Sequence, residues 1–186
     1  DIWLKHQKKD KYWKHGSVCE DYSKLETPIL AIGGWGDAYK NAVPELVKNA
    51  KAKGIIGPWV HKYPHFAVPK PQIGFLQEAI RWWDRWLKGI DNGCETDPDY
   101  RVYVMKGEPP KSSYNFRDGY WIKEDRWPSK ASKNKKLYLR SNNVPSLSDK
   151  KNKCQLGVID SPQHCGLKGG EYCAIWLGPE LPGDQR

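Results

Sequence analysis

Two side chains in this sequence have the types needed to pass a proton between them. Asp37 closes the glycine-rich stretch GGWGD, and His61 closes GPWVH 24 residues further on. A carboxylate hydrogen-bonded to an imidazole fixes the ring's tautomer and stabilises its cation, so that the other ring nitrogen can take a proton from a nucleophile. Asp37 and His61 are therefore two thirds of a hydrolytic triad, and the missing third is the nucleophile. A blander reading makes Asp37 a turn or capping residue ahead of a helix.

The elements that must position the pair lie between residues 27 and 61. Residues 29–32 form a short apolar run closed by Gly33 and Gly34, and residues 41–50 carry apolar residues at helical spacing. Ile55 and Ile56 form a second apolar run, closed by Gly57 and Pro58. This pattern predicts a βαβ unit with parallel neighbouring strands. Their carboxyl ends share one rim of the sheet, where open α/β folds place their sites. Asn41 is suited to cap the helix, with Pro44 and Glu45 in its first turn. Three glycines in GGWGD let the chain turn sharply, with Trp35 folding back over the sheet while Asp37 faces the cleft.

After His61 comes an irregular segment to residue 71, the kind of loop that carries catalytic residues on a rigid scaffold. His65 lies within it, close enough to be confused with His61, and whichever of the two is not the base is read as a surface residue. Residues 73–88, IGFLQEAIRWWDRWLK, predict the strongest helix of the chain. Ile73, Leu76, Ile80, Trp83 and Leu87 recur at spacings of three and four, and Gly89 is a natural stop. That stripe and its Trp residues are expected to pack on the sheet as core, with a pocket-lining place for one of the Trp residues as the alternative. Tyr100–Met105, YRVYVM, predicts a third strand. From residue 121 the texture changes to lysine- and serine-rich loops with short strands expected at 137–139, 155–159 and 172–177. Frequent turns between short strands indicate a β-sandwich, so a boundary is placed at Pro128, dividing residues 1–128 from 129–186.

The 186 residues carry a formal charge of +9, mostly from lysines dispersed over several segments. No nucleic-acid-binding module accompanies them, so they are read as solvated faces, with no nucleic-acid partner. No apolar run is long enough to span a bilayer, and no membrane partner is expected. Ten Trp and ten Tyr suit a large pocket, an interface or a carbohydrate-binding surface. The five cysteines form no C-x-x-C pair, which excludes a zinc ribbon; Cys154, Cys165 and Cys173 are close enough in sequence for one disulfide in an oxidising compartment, whereas unpaired thiols would suit a cytoplasmic setting. His6 and His15, nine residues apart with no third ligand, do not make a metal site, and neither metal nor cofactor is expected.

Taken together, HQKKDKYWKHGSVCEDYSKLETPILAIGGWGDAY, GIIGPWVH, EAIRWWDRWLKGIDNG, YRVYVMKG and GPELPGDQR resemble the serine hydrolase family of cocaine esterase, α-amino-acid ester hydrolases and X-prolyl dipeptidyl-peptidases. The resemblance implies an α/β-hydrolase domain followed by a jelly-roll β-sandwich. It implies Asp37 as triad acid through GGW-x-D, His61 as triad base through GPW-x-H, and Tyr39 as a residue facing the acyl pocket. The substrate class it implies is a small-molecule ester, amide or X-prolyl peptide. One feature of the family is not found: Gly16-Ser17 lacks the flanking glycines of a G-x-S-x-G elbow, which in this fold precedes the acid. The chain is thus expected to be the C-terminal part of a hydrolase domain with the beginning of a sandwich, inactive by itself. A rival reading is a carbohydrate- or ligand-binding sandwich on an inactive α/β scaffold. Another is an electrostatic nucleic-acid binder.

Overall fold

The computed structural model describes residues 1–108, 114–140 and 146–148. At its centre is a four-stranded mixed sheet in the order β1-β2-β3-β4: β1 (Ile29–Gly34), β2 (Ala52–Gly57), β3 (Tyr100–Met105) and β4 (Gly119–Glu124). β1, β2 and β3 run parallel, with Ile32 opposite Ile55 and Gly54 opposite Tyr100; β4 returns antiparallel, with Val102 opposite Ile122. The fold class is α/β, as the alternating strand and helix signals predict. β4 overlaps the stretch from residue 121 in which the sequence pattern showed only a change of texture. It was hidden because GYWIKE mixes half-buried and exposed residues on both faces, with no buried residue and no apolar run to detect.

Helix α3 (Ala42–Asn49) connects β1 to β2 and covers one face of the sheet. Val43 and Val47 pack with Ala31, Ile56, Tyr100 and Val102, closing a buried cluster with Trp35 and Trp127 at its margin. Pro44 and Glu45 occupy the first turn as expected, but Asn41 is itself helical in backbone angle and makes no side-chain cap. On the opposite face a smaller cluster of Ile55, Trp59 and Ala67 is joined by Leu30, Ile32 and Ile73.

Helix α4 (Phe75–Lys88) lies on that second face and ends at Gly89, whose φ of 71° provides the left-handed stop read from the sequence. The packing of α4 corrects the expectation for its apolar stripe. Leu76, Ile80, Trp83 and Leu87 are between 52% and 78% exposed, and Ala79 is its one buried residue. The polar side of the helix is the attached side. Glu78 accepts two hydrogen bonds of 2.8 Å from the Arg101 guanidinium on β3, Arg81 pairs with Asp97, and Arg85 pairs with Glu95. The hydrogen-bonded carboxylate of Glu78 raises the pKa of Arg101 above its ordinary value, so the guanidinium stays charged.

Before the sheet, α1 (Ile2–Lys5) and α2 (Lys11–His15) are short, and Asp10 caps α2 by accepting from the Tyr12 amide at 2.9 Å. The two-stranded β5 (Tyr138–Arg140) and β6 (Ser146–Ser148) pair antiparallel, β5 falling one residue later than the strand expected at 137–139. The strands expected at 155–159 and 172–177, and Cys154, Cys165 and Cys173, lie outside the described residues. No helix among the described residues is long and apolar enough to cross a membrane.

Candidate active site

The parallel pairing of β1 and β2 puts Gly34 beside Gly57, so the two following loops leave one rim of the sheet side by side. Backbone bonds then lock them together: Trp35 N–H donates to Gly57 C=O and Gly36 N–H to Trp59 C=O, both at 2.9 Å. This approach depends on glycine. A Cβ on Gly34 would stand 2.1 Å from the Trp59 carbonyl oxygen, and one on Gly57 would stand 2.5 Å from the Trp59 ring. Trp35 folds back across the sheet as expected, its indole N–H donating to Tyr103 C=O at 2.7 Å.

The second loop hangs from Trp59, which is buried and donates its indole N–H to Pro71 C=O at 2.7 Å. Val60 N–H donates to Val68 C=O at 2.9 Å, closing the loop at its base. With both ends fixed, His61 is presented at the rim.

There the imidazole Nδ1 of His61 lies 2.7 Å from Oδ2 of Asp37. The other carboxylate oxygen, Oδ1, accepts from the Tyr39 amide at 2.8 Å, and Asp37 C=O accepts from Lys40 N–H. Asp37 is thus a turn residue and an imidazole partner at once, through different oxygens. Asp37 is 13% exposed and His61 is 51% exposed, so the carboxylate is held in the loop while the ring reaches outward. A carboxylate on Nδ1 leaves Nε2 as the nitrogen that can exchange a proton with a third group.

Tyr39 is exposed and its ring centroid lies 6.2 Å from that of His61, beside the imidazole. Below the pair a cavity of about 720 Å³ runs between β1 and α4, lined by Leu30, Ile32, Tyr63, Phe66, Trp82 and Trp83 among others. The sequence reading did not single out Tyr63, Phe66 and Phe75. Their signal was an aromatic cluster immediately after the candidate base, YPHF followed by GF, which pattern reading treated as an irregular loop. His65 is half-buried within that cluster, stacked at 5.7 Å on Phe75 and edge-on to Phe66, and not a free surface residue.

His6 and His15, the pair that raised the question of metal, are not together in one site. His6 Nδ1 meets Asp10 Oδ2 at 2.6 Å, and its ring stacks on Tyr12. No group of three or more His, Cys, Asp or Glu suited to a metal occurs among the described residues.

Comparison with known proteins bears on this rim directly. Residues 1–63 match the family model of the X-Pro dipeptidyl-peptidases, S15 family. The resemblance read from the motifs is to a group that includes these hydrolases, and the matched span contains Asp37, Tyr39 and His61. No curated protein matches the chain. Two crystal structures of a CocE/NonD family hydrolase from Staphylococcus aureus are similar to it. The first shares 14% identity over 75% of this chain and 22% of its own, with a TM-score of 0.49. The second shares 14% identity over 75% and 23%, with a TM-score of 0.47. The chain therefore spans under a quarter of the length of that S. aureus hydrolase. The S15 match ends two residues beyond His61, so the remainder of the α/β unit is described by its own sheet.

Proposed function

We propose that this chain is part of a serine hydrolase that cleaves ester or amide bonds through an acyl-enzyme, and that it carries the acid and the base of the triad. The observation that supports this reading best is the 2.7 Å contact between Asp37 Oδ2 and His61 Nδ1. It sits on the rim where parallel strands deliver functional loops, inside the span that matches the S15 family.

In this mechanism Asp37 holds the imidazole with Nε2 directed to the nucleophile. His61 takes the proton of an incoming serine hydroxyl as its oxygen attacks the carbonyl carbon, then gives that proton to the departing alcohol or amine. Water attacks the acyl-enzyme next, losing its proton to His61, which returns it to the serine oxygen as the acyl bond breaks and the acid is released. Asp37 stabilises the imidazolium at each stage. Tyr39, beside the ring, is proposed to border the acyl group. The serine and the oxyanion donors come from polypeptide preceding Asp1. Residues 1–128 are proposed as the end of the hydrolase domain and 129–186 as the beginning of a jelly-roll sandwich.

The test is made on the longer gene product. His61→Ala is expected to lower turnover of a p-nitrophenyl ester or an X-prolyl p-nitroanilide by at least about a thousandfold, with the circular dichroism spectrum unchanged. Turnover within about tenfold of the parent would sink the assignment.

A further inference from the structure

The motifs that carry the dyad end at His61, but the supports of its two loops meet further along the chain, at Tyr103 on β3. This residue is buried. Its C=O accepts the indole N–H of Trp35, from the loop that carries Asp37, at 2.7 Å. Its hydroxyl donates to Arg117 C=O at 2.8 Å. The backbone around Arg117 then reaches the loop that carries His61: Arg117 N–H donates to Lys70 C=O at 3.0 Å, and Lys70 N–H to Asn115 C=O at 2.8 Å. Lys70 and Phe116 thereby pair as a single parallel β-bridge at the far end of the histidine loop.

The near end of that loop leans on the same ring. Trp59, whose indole N–H goes to Pro71 C=O, packs on Trp121 with ring centroids 6.1 Å apart, and Trp121 meets Tyr103 edge-on at 5.3 Å. Trp121 stands opposite Tyr103 in the β3–β4 register. The fit is close, since a Cβ on Gly119 would stand 2.7 Å from the Tyr103 ring.

The hydroxyl is the informative part of this side chain. Phenylalanine would fill the same space against Trp121, so the apolar contact does not call for a phenol. What the hydroxyl adds is a fixed distance to Arg117 C=O, and through it to Lys70. Burial, with the nearby Asp118 carboxylate, pushes the phenol above its ordinary value, so it remains a donor at neutral pH. A displacement of about 1 Å at a catalytic group can cost about a hundredfold in rate, so a tie of this kind bears on chemistry at a distance.

We infer that Tyr103 is a positioning residue for the Asp37–His61 pair, joining the acid loop through its carbonyl to the base loop through its hydroxyl and the backbone of residues 115–117. Its service to catalysis rests on the hydrolase reading above; the joining of the two loops does not.

The test uses the 186-residue chain with its histidine ring nitrogens isotopically labelled for NMR. In the parent, the contact of Nδ1 with Asp37 is expected to hold neutral His61 in the Nδ1–H tautomer. Tyr103→Phe is expected to move the ring resonances toward a mixture with the Nε2–H form. It is also expected to speed exchange of the Lys70 and Arg117 amides at least about tenfold more than that of the β2 amides. Arg117→Pro leaves Tyr103 in place and deletes the N–H held by Lys70 C=O; it is expected to move the tautomer and Lys70 exchange the same way, and it decides the matter if the Phe variant does not fold. Unmoved His61 resonances, or Lys70 exchange that rises only in step with β2, would overturn the proposal. In the longer gene product Tyr103→Phe is expected to lower kcat for a p-nitrophenyl ester at least about tenfold with KM within about twofold, and an unchanged kcat would also overturn it. Labelling of that product by a fluorophosphonate probe separates the two readings. A moved tautomer without labelling keeps the role of Tyr103 and removes the hydrolase; labelling with an unmoved tautomer does the reverse.

Discussion

Helices α3 and α4 flank the same sheet, and both are amphipathic in sequence. Their apolar stripes nevertheless meet opposite surroundings. The stripe of α3 is clamped between Ala31, Ile56, Tyr100 and Val102 and is lost to water; that of α4 stays in contact with it, while its charged side is anchored to β3 and to the loop at Cys94–Thr96. Hydrophobic periodicity tells which side of a helix is apolar. It does not tell which polypeptide covers that side, because an apolar stripe is equally well buried against its own sheet or against another layer.

The contrast can be broken, first, at the α3 face. Ile56 is fully buried under α3, so Ile56→Ala is expected to destabilise the 186-residue chain by about 2–5 kcal/mol, read as a drop in the urea midpoint. A loss below about 1 kcal/mol would mean that this face is no better packed than the other.

Tyr100 sharpens the same comparison through pH. Burial pushes its phenol up to about 12, from an ordinary value of 10.0. The unfolded chain gives up this proton near 10, while the folded chain keeps it to about 12. The folded state therefore holds the extra proton, and stability is expected to fall as pH rises through that window. Its hydroxyl is buried with no hydrogen-bond partner. Tyr100→Phe is thus expected to flatten the alkaline loss and to change stability at neutral pH by less than about 1 kcal/mol. Urea titrations of both proteins at neutral and at alkaline pH check both points, and an equal alkaline loss in the Phe variant would refute the assignment to Tyr100.

The smallest effect belongs to α4. Leu87→Ala is expected to change the stability of the 186-residue chain by less than about 0.5 kcal/mol, because the side chain is mostly in water. In a longer gene product in which another layer covers the stripe, the same substitution is expected to cost about 2 kcal/mol or more. Equal small effects in both would place Leu87 in solvent throughout.

Much of the site was legible from local chemistry. The glycines of GGWGD and GPWVH mark chain reversals at strand ends, and two apolar runs around one helical segment mark a βαβ unit. Parallel pairing then follows, and with it the common rim on which Asp37 and His61 stand. β3 and the stop at Gly89 were legible for the same reason: strand alternation and left-handed backbone preference are properties of a few adjacent residues. β4 was not, since its pairing with β3 depends on a neighbour some 20 residues away and on no apolar run of its own.

By itself, then, the sequence determined which segments form strands and helices around the pair, and which residue types stand at the strand ends. Tertiary structure alone decided that Asp37 gives one oxygen to its own turn and the other to His61, because that division depends on how Trp59 and the paired loops hold the two backbones. It also decided that α4 faces the sheet with its charges. Three ion pairs to Arg101, Asp97 and Glu95 fix the rotation of that helix, and such long-range partners leave no trace in a periodicity of three and four.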